Sequence, residues 1–400
     1  MASGPPTGRP CAPGTPGLDS GAVTRREPAA PPDRSTVPSG RAAPAAAREA
    51  VRGFEPRPFR PTPWLPGPHT QTLGGRLLRK GRPVAYRRER WDTPDGDFLD
   101  LDFAFDPSDG PADRRPVVVV LHGLEGSSTS GYVEVCCRRL SERGLRPVAL
   151  NFRSCSGEPN RRPRFYHSGE TGDPARVLAG LRERWPEAPI GAVGFSLGGN
   201  ALLKLLGERG EEAGELVDAA AAISVPYRLD AGAEALEGGM GRLYTAYFLR
   251  SLRRSVRAKA RLRGHDFDLG RLDRADSLRA FDDAFTAPVH GFEDAADYYL
   301  RCSSARFLEA IRVPTLLVQA RDDPFLPPEA LPEATIRDQS WLAPALVDRG
   351  GHVGFVAGTT PGEIDFWAER EAARFLARAL GGRADDDVPP PREETRRESR

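Results

Sequence analysis

The stretch PVVVVLHG (116–123) constrains the fold more than any other part of this chain. Its unbroken β-branched run leaves no polar face, so it reads as a strand buried on both sides, the situation of a parallel sheet covered by helices. Similar runs recur in RPVALNFRS (146–154), PIGAVGFS (189–196), DAAAAISVP (218–226), VPTLLVQARDD (313–323) and APALVDRGG (343–351). Helical patterns separate them. One covers 131–143 and stops at Gly144, and LGGNALLKLLGERG (197–210) forms another. DPARVLAGLRERW (173–185) opens with Asp173 as N-cap and Pro174 at the first helical position. The last helix is expected to start at Thr360-Pro361-Gly362-Glu363, with Thr360 and Glu363 forming a capping box, and to run to about 380. Ahead of the series, VAYRRERWDTPDGDFLDLDFAFD (84–106) reads as two alternating strands around Pro94-Asp95-Gly96. An antiparallel hairpin followed by alternating strand and helix predicts an α/β fold, with a mostly parallel central sheet and helices on both faces.

Within that order, GAVGFSLGGNALLKLLGERG (191–210) sets Ser196 between Gly194 and Gly198, at the carboxyl end of a central strand. Open α/β sheets place their chemistry there. A sharp strand-to-helix turn strains the backbone of its central residue, and a side chain at 194 or 198 would collide with its neighbours. This is the nucleophile elbow of α/β-hydrolases, which also aims the backbone N–H of Leu197 at a developing oxyanion. The pentapeptide alone can arise by chance; its strand–turn–helix setting carries the reading.

A serine hydroxyl needs a base to take its proton and an acid to orient that base. In this fold they follow in the order Ser, Asp or Glu, His. His352, in VDRGGHVGF (347–355), lies at the end of a strand with glycines beside it. His69, His122 and His167 precede the serine, and His265 and His290 fall in an insertion, so all five read as structural. LLVQARDDPFLP (316–327) offers Asp322 and Asp323. Asp323 is preferred because an apolar pair and proline follow it, as they usually follow the acid in such hydrolases; the other aspartate then braces the loop. The second oxyanion donor is expected from the N–H of Leu124, with His122 bracing that loop.

Composition narrows the alternatives. The formal charge is +1, and lysine occurs only at 80, 204 and 259, so nothing points to nucleic acid. No apolar run approaches the roughly 20 residues that span a bilayer, and the N-terminus lacks a secretory apolar core. Cysteines 11, 136, 137, 155 and 302 show no CxxC spacing, which fits free thiols in a reducing cytoplasm and neither a zinc site nor a disulfide framework. Residues 1–52, rich in Pro and Ala, are expected to be a disordered tail and 383–400 a polar one, leaving one domain over 53–382.

An insertion at about 227–305 is expected to form a helical cap over the site. Its segment GRLYTAYFLRSLRRSVRAKARLRG (241–264) reads as amphipathic: Leu243, Tyr244, Tyr247, Phe248, Leu252 and Val256 share a broad face, and Arg250, Arg253, Arg254, Arg257 and Arg261 supply the others. Two accounts stay open. The apolar face packs as core with its arginines in water, or it lines an acyl pocket while the arginines make peripheral contact with anionic lipid.

Several segments together give a more specific resemblance: PGPHTQTL (66–73), LHGLEGSSTSGY (121–132), NFRSCSGEPNR (151–161), YHSGETGD (166–173), VGFSLGGNALLKLLGERG (193–210), FDDAFTAPVHGF (281–292), RDDPFLP and GGHVGF. Over about 60–380 the chain resembles the YheT-type (EMB8-like, UPF0017) α/β-hydrolases, whose animal relatives include membrane-bound acylglycerol lipases and phospholipases. The resemblance implies a Ser–Asp–His triad at Ser196, Asp323 and His352, and carboxylester hydrolysis. Ser154 departs from it, standing where the family usually has glycine. The loop containing Arg153, Asn160, Arg161 and His167 is expected to border the site, where these side chains either hold a polar head group or tie the loop together.

The expectation is a cytoplasmic serine esterase acting on a small-molecule or lipid ester through an acyl-enzyme, with no metal or organic cofactor. A thioesterase or acyltransferase could use the same triad. A binding scaffold that has lost catalysis is the reading from outside enzymology.

Overall fold

The structure, a computed structural model, describes residues 49–79, 83–108 and 110–383. Among them, eight strands form one sheet: β1 (Arg87–Asp92), β2 (Phe98–Phe103), β3 (Val117–Leu121), β4 (Arg146–Asn151), β5 (Ile190–Phe195), β6 (Ala219–Ile223), β7 (Thr315–Ala320) and β8 (Leu342–Val347). Their order is β1-β2-β4-β3-β5-β6-β7-β8; the β1–β2 and β2–β4 pairs are antiparallel and the remaining five pairs are parallel.

The apolar runs have a direct explanation in the two cores. Val117, Val119 and Leu121 of β3 enter one core, while Val118 and Val120 enter the other. In β6, Ala220 and Ala222 face the first core and Ala219 and Ala221 the second, the period-2 alternation of a strand apolar on both sides. Helices cover both faces: α1 (Pro68–Leu78), α2 (Gly131–Glu142), α3 (Gly172–Arg184), α4 (Leu197–Arg209), then α5 (Leu229–Ala235), α6 (Gly241–Arg263) and α7 (Ala295–Cys302) between β6 and β7, and finally α8 (Trp367–Leu380). No helix among the described residues is long and apolar enough to cross a membrane.

Three local expectations are corrected. Helix α8 begins at Trp367 and not at Thr360; the chain first pairs Asp365–Phe366 (β10) with Val356–Ala357 (β9), turning through Gly358 at φ 108°. Asp173 is not an N-cap: α3 starts at Gly172, two residues before the expected Pro174, and the Asp173 carboxylate accepts from Arg153 at 2.7 and 2.9 Å. Most of the expected tails lies outside the described residues, but their inner ends are ordered. Glu49–Arg52 form a helical turn with Val51 buried in the second core, and Arg383 N–H donates to the Arg143 carbonyl at 2.9 Å.

Candidate active site

Ser196 links β5 to α4 at φ 52°, ψ −119°, a left-handed conformation costly for a residue with a side chain. The sequence accommodates it with glycine. A Cβ on Gly194 would sit 2.5 Å from the Gly198 carbonyl oxygen, and one on Gly198 would sit 2.6 Å from that of His122. Both approaches fall far inside van der Waals contact, so the turn closes only with glycine at these positions.

His352 Nε2 lies 2.9 Å from Ser196 Oγ, and its Nδ1 lies 2.9 and 3.1 Å from the two oxygens of Asp323. With Nδ1–H donating to Asp323, Nε2 is left bare to accept from the serine. Asp323 is buried and held in turn by Gln319 Nε2 (3.0 Å) and the Phe325 N–H (2.8 Å). Asp322 faces elsewhere and accepts the Gly351 N–H at 2.8 Å. Phe325 stacks on the His352 ring at 4.1 Å and is itself touched by Tyr244 and Phe248 of α6.

Leu124 and Leu197 both border the cavity beside Ser196, and their N–H groups donate to no acceptor among the described residues. His122 is neutral at neutral pH, because burial lowers its pKa to about 4. Its Nδ1–H donates to the Gly123 carbonyl (2.7 Å), and its Nε2 accepts the Phe152 N–H (3.1 Å). That geometry makes it a brace.

The loop after β4 separates its four candidate residues. Arg153 is buried among Asp173, Asp95 and Asp97, Asn160 donates to Asp97 and the Phe98 carbonyl, and Arg161 reaches Asp92. These three tie the loop to the β1–β2 turn. Only His167 lines the cavity. Ser154 sits at φ 68°, where glycine would be unstrained, and its Oγ accepts the Asn160 N–H at 3.2 Å.

The cavity measures about 860 Å³ and is walled mainly by apolar side chains, including Leu236, Phe248, Leu252, Val256, Phe281 and Phe285. The amphipathic face expected for α6 is split. Tyr244 and Val256 are buried, whereas Leu243 and Tyr247 are exposed at the cavity opening. Among the described residues, no group of three or more His, Cys, Asp or Glu side chains could hold a metal ion. Cys136, Cys137, Cys155 and Cys302 are free, and Cys11 lies outside the described residues.

Several supporting residues escaped the sequence reading. His352 N–H donates to Thr72 Oγ1 (2.9 Å), and Val353 N–H donates to Ser224 Oγ (2.8 Å). Arg79 Nη1 and Nη2 donate to the carbonyls of Val353 (2.6 Å) and Gly354 (2.9 Å), while its Nε lies 2.7 Å from the buried Glu369 carboxylate. The PGPHTQTL segment, which contains Thr72, was the available signal.

A strained serine at the end of the fifth strand, facing a histidine and a buried aspartate from loops after later strands, defines the α/β-hydrolase class. Residues 116–356 match the family model described as the alpha/beta hydrolase fold. YheT of Escherichia coli (strain K12), provisionally named an esterase, is 40% identical over 293 residues, covering 73% of this chain and 85% of that protein. Phospholipase ABHD3 of Mus musculus is 33% identical over 313 residues, covering 77% and 75%. Embryogenesis-associated protein EMB8 of Picea glauca is 30% identical over 316 residues, covering 76% and 68%. The chain belongs to the α/β-hydrolase family, in its YheT-type branch.

Proposed function

We propose that this protein hydrolyses carboxylic esters with an apolar acyl chain, using Ser196 as nucleophile, His352 as general base and acid, and Asp323 to orient the imidazole. The observation that carries this reading is the 2.9 Å contact from Ser196 Oγ to His352 Nε2, made at the wall of an 860 Å³ cavity. Relatives named as esterase, phospholipase and monoacylglycerol lipase support a hydrolase of ester bonds.

Ester enters with its acyl chain between α6 and the sheet. As Ser196 Oγ attacks the carbonyl carbon, its proton passes to His352 Nε2, and Asp323 stabilises the imidazolium. The carbonyl oxygen, now an oxyanion, accepts from the N–H groups of Leu124 and Leu197, the latter at the positive end of α4. Collapse of this intermediate breaks the carbonyl carbon–alkoxy bond, and His352 returns the proton to the departing alcohol. Water then repeats the sequence on the acyl-serine and releases the carboxylic acid. A fluorophosphonate label, which reacts with an activated serine, is expected to modify the parent protein and leave Ser196→Ala unmodified. Hydrolysis of an ester panel by the parent with no labelling at Ser196 would overturn the assignment.

A further inference from the structure

Eight large apolar side chains stand exposed among the described residues, and five of them line one opening. Leu73 and Leu77 come from α1; Met240 immediately precedes α6, and Leu243 and Tyr247 lie in its first two turns. Leu77 and Leu243 are 59% and 63% exposed, although both also border the cavity that contains Ser196. Scattered exposed leucines are ordinary on a protein surface, whereas a ring of them around a cavity mouth marks a contact site. Arg76 sits within this ring and donates to Tyr247 Oη at 2.6 Å, fastening α1 to α6.

The outward stripe of α6 changes character along its length. Steps of three and four residues carry it from Leu243 and Tyr247 to Arg250, Arg254, Arg257 and Arg261. Arg257 pairs with Asp273, and Arg253, on another side, is used up on the carbonyls of Leu272 and Ala275. Arg250, Arg254 and Arg261 are exposed and have no carboxylate partner among the described residues. An exposed apolar rim continued by unneutralised guanidinium groups is the composition of a surface-lying helix at a lipid interface. A second copy of the chain suits this face poorly, because a two-fold contact would bring two arginine stripes together.

We propose that this face docks on an anionic lipid surface: the rim enters the acyl boundary, Arg250, Arg254 and Arg261 lie over the head groups, and the cavity opens into lipid. The proposal rests on exposure and charge and does not require Ser196 to be the nucleophile.

Flotation of the full chain with phosphatidylcholine vesicles, with and without about one-third phosphatidylglycerol, tests it at low and high salt. Binding is expected on the anionic vesicles and is expected to weaken with salt. Changing Arg250, Arg254 and Arg261 together to Gln is expected to weaken it by up to on the order of 100-fold, with short-chain ester turnover in solution unchanged. Leu77→Ser with Leu243→Ser is expected to weaken it at least about tenfold at unchanged melting temperature. Equal binding to neutral vesicles, no binding to either kind, or a dimer in solution that these substitutions dissociate would each overturn the proposal.

Discussion

Glu125 and Ser251 join the loop beside the nucleophile to the cap helix: Ser251 Oγ donates to Glu125 Oε2 at 2.7 Å, and Ser255 adds a second bond to the same oxygen at 2.9 Å. Glu125 holds φ 52°, and its N–H donates to Tyr166 Oη at 2.6 Å, so a strained residue is fixed from both sides. It is the chain neighbour of Leu124, the proposed oxyanion donor.

The first prediction follows from that link. Glu125→Ala frees the loop from α6 and is expected to lower kcat about tenfold or more, with a smaller change in KM, because the oxyanion forms only after substrate binds. Glu125→Gln keeps one carbonyl oxygen that can accept from both serines, and is expected to recover most of the loss. A change confined to KM would show that the link shapes the cavity and leaves the donor in place.

Ser196→Ala and His352→Ala are each expected to reduce ester hydrolysis by on the order of 10⁶, with the double variant losing little more, because groups acting as a unit do not add. Asp323→Asn is expected to cost on the order of 10⁴ by misorienting the imidazole. Asp322→Asn should cost far less, since that carboxylate faces the Gly351 N–H. Steady-state kinetics of the four single variants and the double variant decides the assignment. A reversal between the two aspartates would refute the geometry given for His352.

Much of this was legible in the sequence, for reasons particular to each part. The run Val117–Leu121 announced itself because both of its faces meet apolar cores, and the serine because its turn demands glycine at 194 and 198. What stayed hidden depends on partners far along the chain. Asp173 looks like a helix cap until Arg153 takes its carboxylate. Thr360 and Glu363 look like a capping box, but strand pairing at Asp365–Phe366 delays the helix. Thr72 supports His352 across 280 residues, a relation that no local pattern encodes.

The cavity wall gives a prediction on chain length. Phe248 borders the cavity and also packs on Phe325, the residue stacked on His352. Phe248→Ala is expected to reduce kcat/KM for long-chain esters by roughly tenfold or more relative to acetate esters, since the lost apolar contact serves only the longer chain. Equal losses on both would mean that the ring acts through Phe325 alone.

Lys259 gives the prediction on pH. It is fully buried in α6, with its ammonium donating to the Arg164 carbonyl and lying 4.1 Å over the Phe165 ring. Burial is the main reason its pKa falls to about 7, with Arg153 and Arg263 adding to the effect and Asp97 opposing it. An unfolded lysine keeps its proton to about pH 10.4. Between about pH 7 and 10 the unfolded chain therefore binds more protons than the folded one, so this residue's contribution to stability rises with pH through that window. Below it the penalty is complete and constant. Lys259→Met removes the penalty but leaves the Arg164 carbonyl without its donor, a loss of about 1–3 kcal/mol at any pH. The variant is thus expected to melt above the parent at pH 6 and to lose that advantage by pH 10. Melting curves across the range measure it, and a difference that does not change with pH would mean that Lys259 stays charged in the folded protein.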